Sequence, residues 1–366
     1  MNNVKIGIIG TGVGIRTHLN GFRLCPDADI VAICGSSKSR SEEFAKKYDI
    51  PIACKDYKEL CDIPDIDLVC VTSPNRYHME ATLYAIEKGK HIICEKPLSD
   101  KYSEVIELSN IAENYNKIAV VDHQLRYNPY INKIKQLIDS GEIGRVYSVI
   151  LHQQAGGFAG ATDNWCWSFD GKQGGGVRLA MASHFTDLIQ YWFNDRDVVS
   201  VNGFMSPVTR ERSDKAGNTY SIDASTICAA HINFTGELCA QYYINAGAYS
   251  GSRFDIIIFG DKGELHYSLD TKLAIYKRCE LGKRIEVEVD DVYQDERENK
   301  ISIFSGSFRY FAPLIVKAIQ TKDYELISKS ATFKDAVYNL TILEAIKQAA
   351  NRGEGVAIGK ETNHYV

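Results

Sequence analysis

The 366-residue sequence has no apolar run approaching the roughly 18 residues of a membrane-spanning helix, no long basic run, and no Cys-x-x-Cys pair among its ten cysteines. Each absence closes a class. Without a long apolar run, no segment is expected to cross a membrane. Without a basic stripe, nucleic acid is not an expected partner. Cysteines scattered through apolar runs at unpaired spacings read as reduced core residues of a cytoplasmic protein, not as a zinc site or a disulfide framework, and no metal is expected. The N-terminus runs straight into Val4-Lys-Ile-Gly-Ile-Ile9, too short for the apolar region of a signal peptide and without a small-residue cleavage site.

What is present describes an ordinary globular protein, with 45% apolar and 24% charged residues and a modest net charge of −5. The length suits about two domains. Apolar runs at Val4 to Ile9, Asp29 to Cys34, Ile66 to Val71, His91 to Cys94 and Lys117 to Val121 alternate with helix-like patterns. Among the latter, Leu19, Phe22 and Leu24 suggest one helix face. Regular alternation of this kind specifies an α/β domain with a doubly wound parallel sheet, here expected over residues 1–123.

The first turn, Gly10-Thr11-Gly12-Val13-Gly14-Ile15, follows a strand and opens a helix. Glycines there let backbone N–H groups approach a pyrophosphate, although Ile15 occupies the usual third glycine position and Gly14 stands one place early. After the second strand a dinucleotide fold normally places an acid for the ribose hydroxyls. Here Gly35, Ser36, Ser37, Lys38 and Arg40 take its place, which suits a 2′-phosphate and favours NADP over NAD; a capped helix start with solvated cations is the structural alternative. Thr72, Pro74, Asn75 and His78 follow the next strand and are candidate cofactor contacts, with local packing as the alternative for His78. Glu95-Lys96-Pro97 ends a buried strand with a cation, and Pro97 holds Lys96 out of the helical region. Lys96 is therefore the first candidate catalytic group, and Gln124 joins the cofactor set just beyond the last strand.

Residues 124–366 change character, toward an α+β domain with a large, mainly antiparallel open sheet. Thr226, Cys228, Ala230, Ile232 and Phe234 alternate, Thr235-Gly236 turns, and Leu238 to Ile244 returns. One face of such a sheet is available for a homodimer or homotetramer. Arg210 to Thr219 is polar and reads as a mobile loop. Phe304, Phe308, Phe311 and Ile315 form one helical stripe, and Phe333, Val337 and Leu340 another. Gly174-Gly-Gly marks either close backbone approach to a ligand or a packed loop, and His184 opens an apolar helix.

In sequence order, Gly10-x-Gly12 with His18, Pro74-Asn75 with His78, Glu95-Lys96-Pro97, Arg126-Tyr127-Asn128-Pro129, and Gly174-Gly-Gly with Ser183-His184 and Asp187 resemble the Gfo/Idh/MocA family essentially end to end. The resemblance implies a nicotinamide-binding Rossmann domain, an oligomer-forming C-terminal domain, and oxidation or reduction of a sugar, cyclitol or nucleotide sugar. It also implies Lys96 at the substrate hydroxyl and the nicotinamide, and His184 as general acid/base. Many members carry an Asp four residues before that histidine, where this chain has Ala180, so the base and the substrate subclass stay open. Arg126, Tyr127, Trp165, Trp167, Arg178 and Asp187 are the remaining candidates for substrate binding. A redox-assisted glycosidase or lyase that recycles its NAD, and a cofactor-binding sensor, are the alternatives.

Overall fold

In the computed structural model, which describes residues 2–156, 164–208, 210–293 and 302–359, the apolar runs of the first third are short strands. They are β1 (Val4–Ile9), β2 (Ala28–Cys34), β3 (Ile52–Cys54), β4 (Leu68–Val71), β5 (His91–Cys94) and β6 (Ala119–Val121). Between them run a π-helical turn, Gly14–Leu19, that continues into α1 (Asn20–Phe22), then α2 (Lys38–Lys47), α3 (Tyr57–Cys61), α4 (His78–Glu87) and α5 (Tyr102–Glu113). The chain goes on through α6 (Pro129–Asp139), β7 (Val146–Gln154), α7 (Ser183–Trp192), β8 (Val198–Ser206), β9 (Glu211–Ser213), β10 (Thr219–Ser221), β11 (Ile227–Phe234), β12 (Cys239–Asn245), β13 (Arg253–Gly260), β14 (Gly263–Ser268), β15 (Lys272–Lys277) and β16 (Ile285–Glu286). It closes with α8 (Ile303–Thr321), β17 (Ala331–Thr332), α9 (Phe333–Arg352) and β18 (Val356–Ala357).

Two compact units result: Met1–Asn128 with Asp291–Tyr338, and Pro129–Asp290 with Asn339–Val366. Beside the division expected at residue 123, the described part of 291–338 packs with the first unit. The reason is physical: β17 extends the first sheet by pairing with β6, and α8 supplies Phe308, Phe311 and Ile315 to the core built on Ile6, Ile8, Phe22 and Ile33.

The first unit holds a seven-stranded sheet in the order β17-β6-β5-β4-β1-β2-β3, parallel except at β17. Chain order reverses at β1, which lies between β2 and β4, and such a switch point is where open α/β sheets bind ligands. The register then fixes everything downstream. Ile9 pairs with Cys34 and with Val71, Val71 with Cys94, and Cys94 with Val121, so these carboxyl ends form one row. Leu24, expected on the first helix face, is 41% exposed; α1 ends at Phe22, and the residue turned inward is Cys25.

The second unit holds a nine-stranded sheet, β16-β15-β14-β13-β7-β12-β11-β8-β18, in which only β7 and β12 run parallel. Along β11 burial alternates, with Cys228, Ala230, Ile232 and Phe234 inward. The inner face packs on α7, where the Phe185 ring meets Tyr242 at 5.8 Å and Phe254 at 5.5 Å, both tilted toward edge-on contact. The outer face carries the exposed Phe204 and Tyr243 and a depression of about 700 Å³ lined by His152, His231, Arg253 and Asp255. The stretch expected as a mobile loop is instead a two-stranded ribbon, β9 with β10. Its turn is organised by Asp214, whose Oδ1 accepts from the backbone N–H groups of Ala216 and Asn218 at 2.9 Å.

Among the described residues no helix is long and apolar enough to cross a membrane. All ten cysteines are unpaired, and Cys25, Cys34, Cys54, Cys61, Cys70, Cys94 and Cys228 are buried.

Candidate functional site

The residue after each strand of the row is a candidate or lies within two residues of one: Gly10, Gly35, Thr72, Glu95 and Asp122. Backbone bonds lock this tier. Gly10 N–H donates to Cys34 O, Thr72 N–H to Ile9 O, Glu95 N–H to Val71 O and Asp122 N–H to Cys94 O, all at 2.7–2.8 Å. Gly10 adopts φ +117°, and a Cβ there would lie 2.4 Å from Thr72 O. Thr72 Oγ1 donates to Ile9 O, so its backbone and side chain both clamp the turn. A Cβ on Gly14 would lie 2.4 Å from Thr72 Oγ1 and 2.7 Å from Ile8, so Gly14 takes the helix-on-strand packing that a third glycine usually serves, and Ile15 is buried beside it. Gly12 faces open space, with nothing within 4 Å of where a Cβ would stand; Thr11 and Val13 flank it half-buried. An exposed backbone on Gly12 between two packed glycines fits a pyrophosphate.

At the end of β2, Ser37 caps α2 by accepting from the Arg40 N–H, and Gly35 N–H donates to Ser41 Oγ. Ser36, Lys38 and Arg40 are exposed. Lys38 Nζ donates to Ala53 O at 2.6 Å; Arg40 pairs with Glu43 at 2.9 Å and lies over the Phe44 ring. No carboxylate stands at residues 35–37 to meet ribose hydroxyls.

His78, buried at the start of α4, contacts Ser73 O with Nε2 at 2.7 Å and Pro97 O with Nδ1 at 2.8 Å. It ties the loop after β4, which carries Pro74 and the buried Asn75, to the loop after β5. Burial pulls its pKa below the ordinary value, although the two carbonyls favour the charged ring. The Lys96–Pro97 peptide is cis.

Two side chains that sequence reasoning left without a role, His18 and Asp122, meet Glu95 at this tier. His18 Nε2 is 3.0 Å from Asp122 Oδ2 and 3.3 Å from Glu95 Oε1, and the three are 0%, 0% and 5% exposed. Burial opposes a charge on His18, yet Asp122, Cys70 and Glu95 hold its pKa well above the ordinary value. Burial pushes the Asp122 carboxyl up to about 6, whereas Glu95, also raised by burial, is brought below its usual range by His18, Lys96 and His78. Burial lowers Lys96, and the charges of Glu95 and Asp122 act to raise it. The available signal was positional: Asp122 follows β6 as Glu95 follows β5.

Gln124 is buried, and its Oε1 has no hydrogen-bond partner among the described residues, leaving an amide acceptor that suits a polar ligand group. Arg126 is buried, contacts Lys329 O at 3.3 Å and lies 3.5 Å from Asp335. Tyr127 OH meets Ser330 Oγ at 2.7 Å, and its ring stacks on Phe311. These two side chains therefore bind residues 311–335 to the strand-end tier of the first unit.

In the second unit, Gly175 N–H donates to Asp170 O and Gly176 N–H to Ser168 O, and a Cβ on Gly175 would lie 2.5 Å from Ser168 O. The glycine triplet is thus a packed loop. It leads into a π turn, Arg178–Ala182, and then α7, with His184 in its first turn, 3% exposed, and Asp187 at 1%. Ala180 is half-buried in that π turn. Asn339 Nδ2 donates to Ser183 O, fixing the start of α7. Arg178 pairs with Glu344 at 2.7 Å. Trp165 stacks on Tyr220 at 4.5 Å, and Trp167 opens a short 3-10 turn.

Comparison with known proteins gives two family matches. Residues 4–123 match the oxidoreductase family model for an NAD-binding Rossmann fold, and residues 135–358 match the C-terminal alpha/beta domain of the same oxidoreductases, the Gfo/Idh/MocA group. Among curated relatives, D-glucoside 3-dehydrogenase of Escherichia coli (strain K12) is 26% identical over 71% of this chain and 75% of its own length. Glucose-6-phosphate 3-dehydrogenase of Bacillus subtilis (strain 168) is 24% identical over 83% of this chain and 85% of its own. Among solved structures, levoglucosan dehydrogenase in complex with NADH and L-sorbose superposes with a TM-score of 0.84 at 21% identity, covering 98% of this chain and 100% of its own.

Proposed function

The chain belongs to the Gfo/Idh/MocA oxidoreductase family, and from that premise we propose that it moves a hydride between a nicotinamide cofactor and a secondary alcohol or ketone of a sugar-like substrate. The observation that carries this is the row of strand ends at the switch point, where the open Gly12 turn and Lys96 stand on one rigid tier. The relatives named above act on sugars, which supports the substrate class.

The cofactor, when bound, accepts or returns the hydride. Gly10, Thr11, Gly12, Val13, Gly14 and Ile15 would hold its pyrophosphate, and Thr72, Pro74, Asn75, His78, Glu95, Lys96 and Gln124 its nicotinamide half. A carbinol carbon releases hydride as its hydroxyl loses a proton; His184 is the base that takes this proton, and Lys96 holds the oxygen as negative charge develops. Trp165 offers an apolar face to a sugar ring, with Trp167, Arg126, Tyr127, Arg178 and Asp187 completing the substrate set. The experiment is incubation with panels of sugars, cyclitols and nucleotide sugars under NAD and NADP, following nicotinamide absorbance. Accumulating reduced cofactor is expected. Turnover without accumulation points to a recycling enzyme, and cofactor binding without turnover points to a sensor.

NADP is the preferred form in this proposal. The ion pair of Arg40 with Glu43 is exposed, and such pairs are worth about 0–1 kcal/mol, so a 2′-phosphate can displace it. Arg40→Glu is expected to raise the KM for NADP about tenfold or more, since removing a charge-assisted bond costs about 1.5–3 kcal/mol, while sparing NAD. Equal effects on both cofactors would exclude a phosphate site here.

The outer face of the nine-stranded sheet is proposed as the contact in a homodimer or homotetramer, because antiparallel sheets bury one side within the protomer and leave the other for a partner. Sedimentation equilibrium should give a multiple of 41.0 kDa, and Phe204→Lys should lower it; a wild-type monomer would rule the interface out. A reducing, cytoplasmic location accords with ten unpaired cysteines.

A further inference from the structure

Three ionisable side chains gather at the end of β5 without access to water. His18 comes from the π turn after β1, Glu95 from the position after β5, and Asp122 from the position after β6. Glu95 gives Oε1 to His18 and turns Oε2 to the backbone N–H of Lys96 at 3.2 Å. The other titratable groups facing the cluster are Cys70 of β4, kept protonated by burial, His78 of α4, His123 beside Asp122, and Lys96. From α8 comes the uncharged Phe308 ring, 4.3 Å from the His18 ring.

Two carboxylates in a water-free site need cationic partners, because an unmatched buried charge is far costlier than a matched one. One imidazolium answers one of them. The second falls to Lys96: Cys94 pairs with Val121, so Glu95-Lys96 and Asp122 leave neighbouring strand ends together, and the Lys96 backbone N–H already donates to Glu95 Oε2. We propose that Asp122 and His18 are positioning residues for Lys96: with Glu95 they form a buried counter-charge that keeps this lysine a cation at the strand end. The proposal rests on Lys96 acting at the substrate, since an alkoxide is stabilised by an ammonium and not by a neutral amine.

The signs follow from the charges. Asp122 is ionised across the range where a lysine titrates, so Asp122→Asn removes a negative charge near Lys96 and lowers the lysine's pKa. His18→Gln removes a positive charge from the same cluster and raises it. A purely structural role would move both variants the same way.

The test is a lysine side-chain NMR titration of the full-length protein labelled at Cε and Nζ, with the Lys96 signal assigned by its loss in Lys96→Arg. Wild-type Lys96 should remain charged well above neutrality. It should titrate about 1–3 units lower in Asp122→Asn, the size expected for one charge at close range, and higher in His18→Gln. The falling alkaline limb of kcat should move with it. Unchanged or like-signed shifts would overturn the proposal, as would a wild-type Lys96 that is neutral at pH 7, a result that needs neither cluster variant to fold. Failure of the catalytic reading is distinguishable: Lys96→Met would then leave turnover intact whatever the titration gives.

Discussion

Lys96→Met should lower the rate of hydride transfer by about 10²–10³-fold, the cost of removing one donor from a developing oxyanion, equivalent to about 3–4 kcal/mol. The side chain stays long and apolar along its stem, so what is lost is the charge. Its buried surroundings determine what happens to the fold. Without the ammonium, the His18 imidazolium stands against both Glu95 and Asp122, and Asp122, already pushed up to about 6, takes up a proton to restore neutrality. The variant should therefore fold and still bind cofactor through the glycine turn and Thr72. Single-turnover absorbance measures the transfer step, and quenching of protein fluorescence by reduced cofactor measures binding. Loss of both together would make Lys96 structural.

His184→Asn should cost about 10²–10⁴-fold, the range for general acid–base catalysis, and should change the shape of the pH profile. Alcohol oxidation needs the imidazole neutral, so the wild-type rate rises with pH through the pKa of His184, as the ring loses its proton, and falls again only at the alkaline limb where Lys96 loses its own. Ketone reduction needs it protonated and falls through the same pKa. In the variant both dependences should flatten. The absence of a carboxylate at Ala180 bears on the outcome, because the only acid near in sequence on α7 is Asp187, one helical turn on and buried. Asp187→Asn should then displace the His184 limb if it orients the ring and leave the limb in place if it only packs. Oxidation in His184→Asn that still rises through the same pKa would assign the base elsewhere.

Much of this site was legible because a parallel sheet delivers function at strand ends, and strand ends are visible as apolar runs closed by glycine, proline or charge. Gly10, Thr72 and Glu95 were found that way. Asp122 offered the same cue and was passed over, because its meaning depends on His18, far away in the chain and adjacent only once β1, β4, β5 and β6 align. The role of Gly14 needed the π turn, which alters which residue packs on β1. The glycine triplet was open to two readings until Gly175 was seen against Ser168 and Asp170. The β9–β10 ribbon escaped because its residues are polar, with Asp214 rather than an apolar pattern organising the turn. Assignment of α8 to the first unit was invisible for a different reason: an apolar stripe says that a helix is buried, not which core receives it.

The central claim is that a hydride passes from a carbinol carbon to nicotinamide in this protein. The direct measurement uses the sugar identified in the substrate panel, deuterated at its carbinol carbons, with oxidised cofactor in ordinary water, and mass spectrometry of the cofactor afterwards. Deuterium on the nicotinamide ring, appearing with the oxidised sugar and absent with Lys96→Met over the same time, is the predicted result. Consumption of the sugar with deuterium lost to solvent and none retained on the nicotinamide would contradict it.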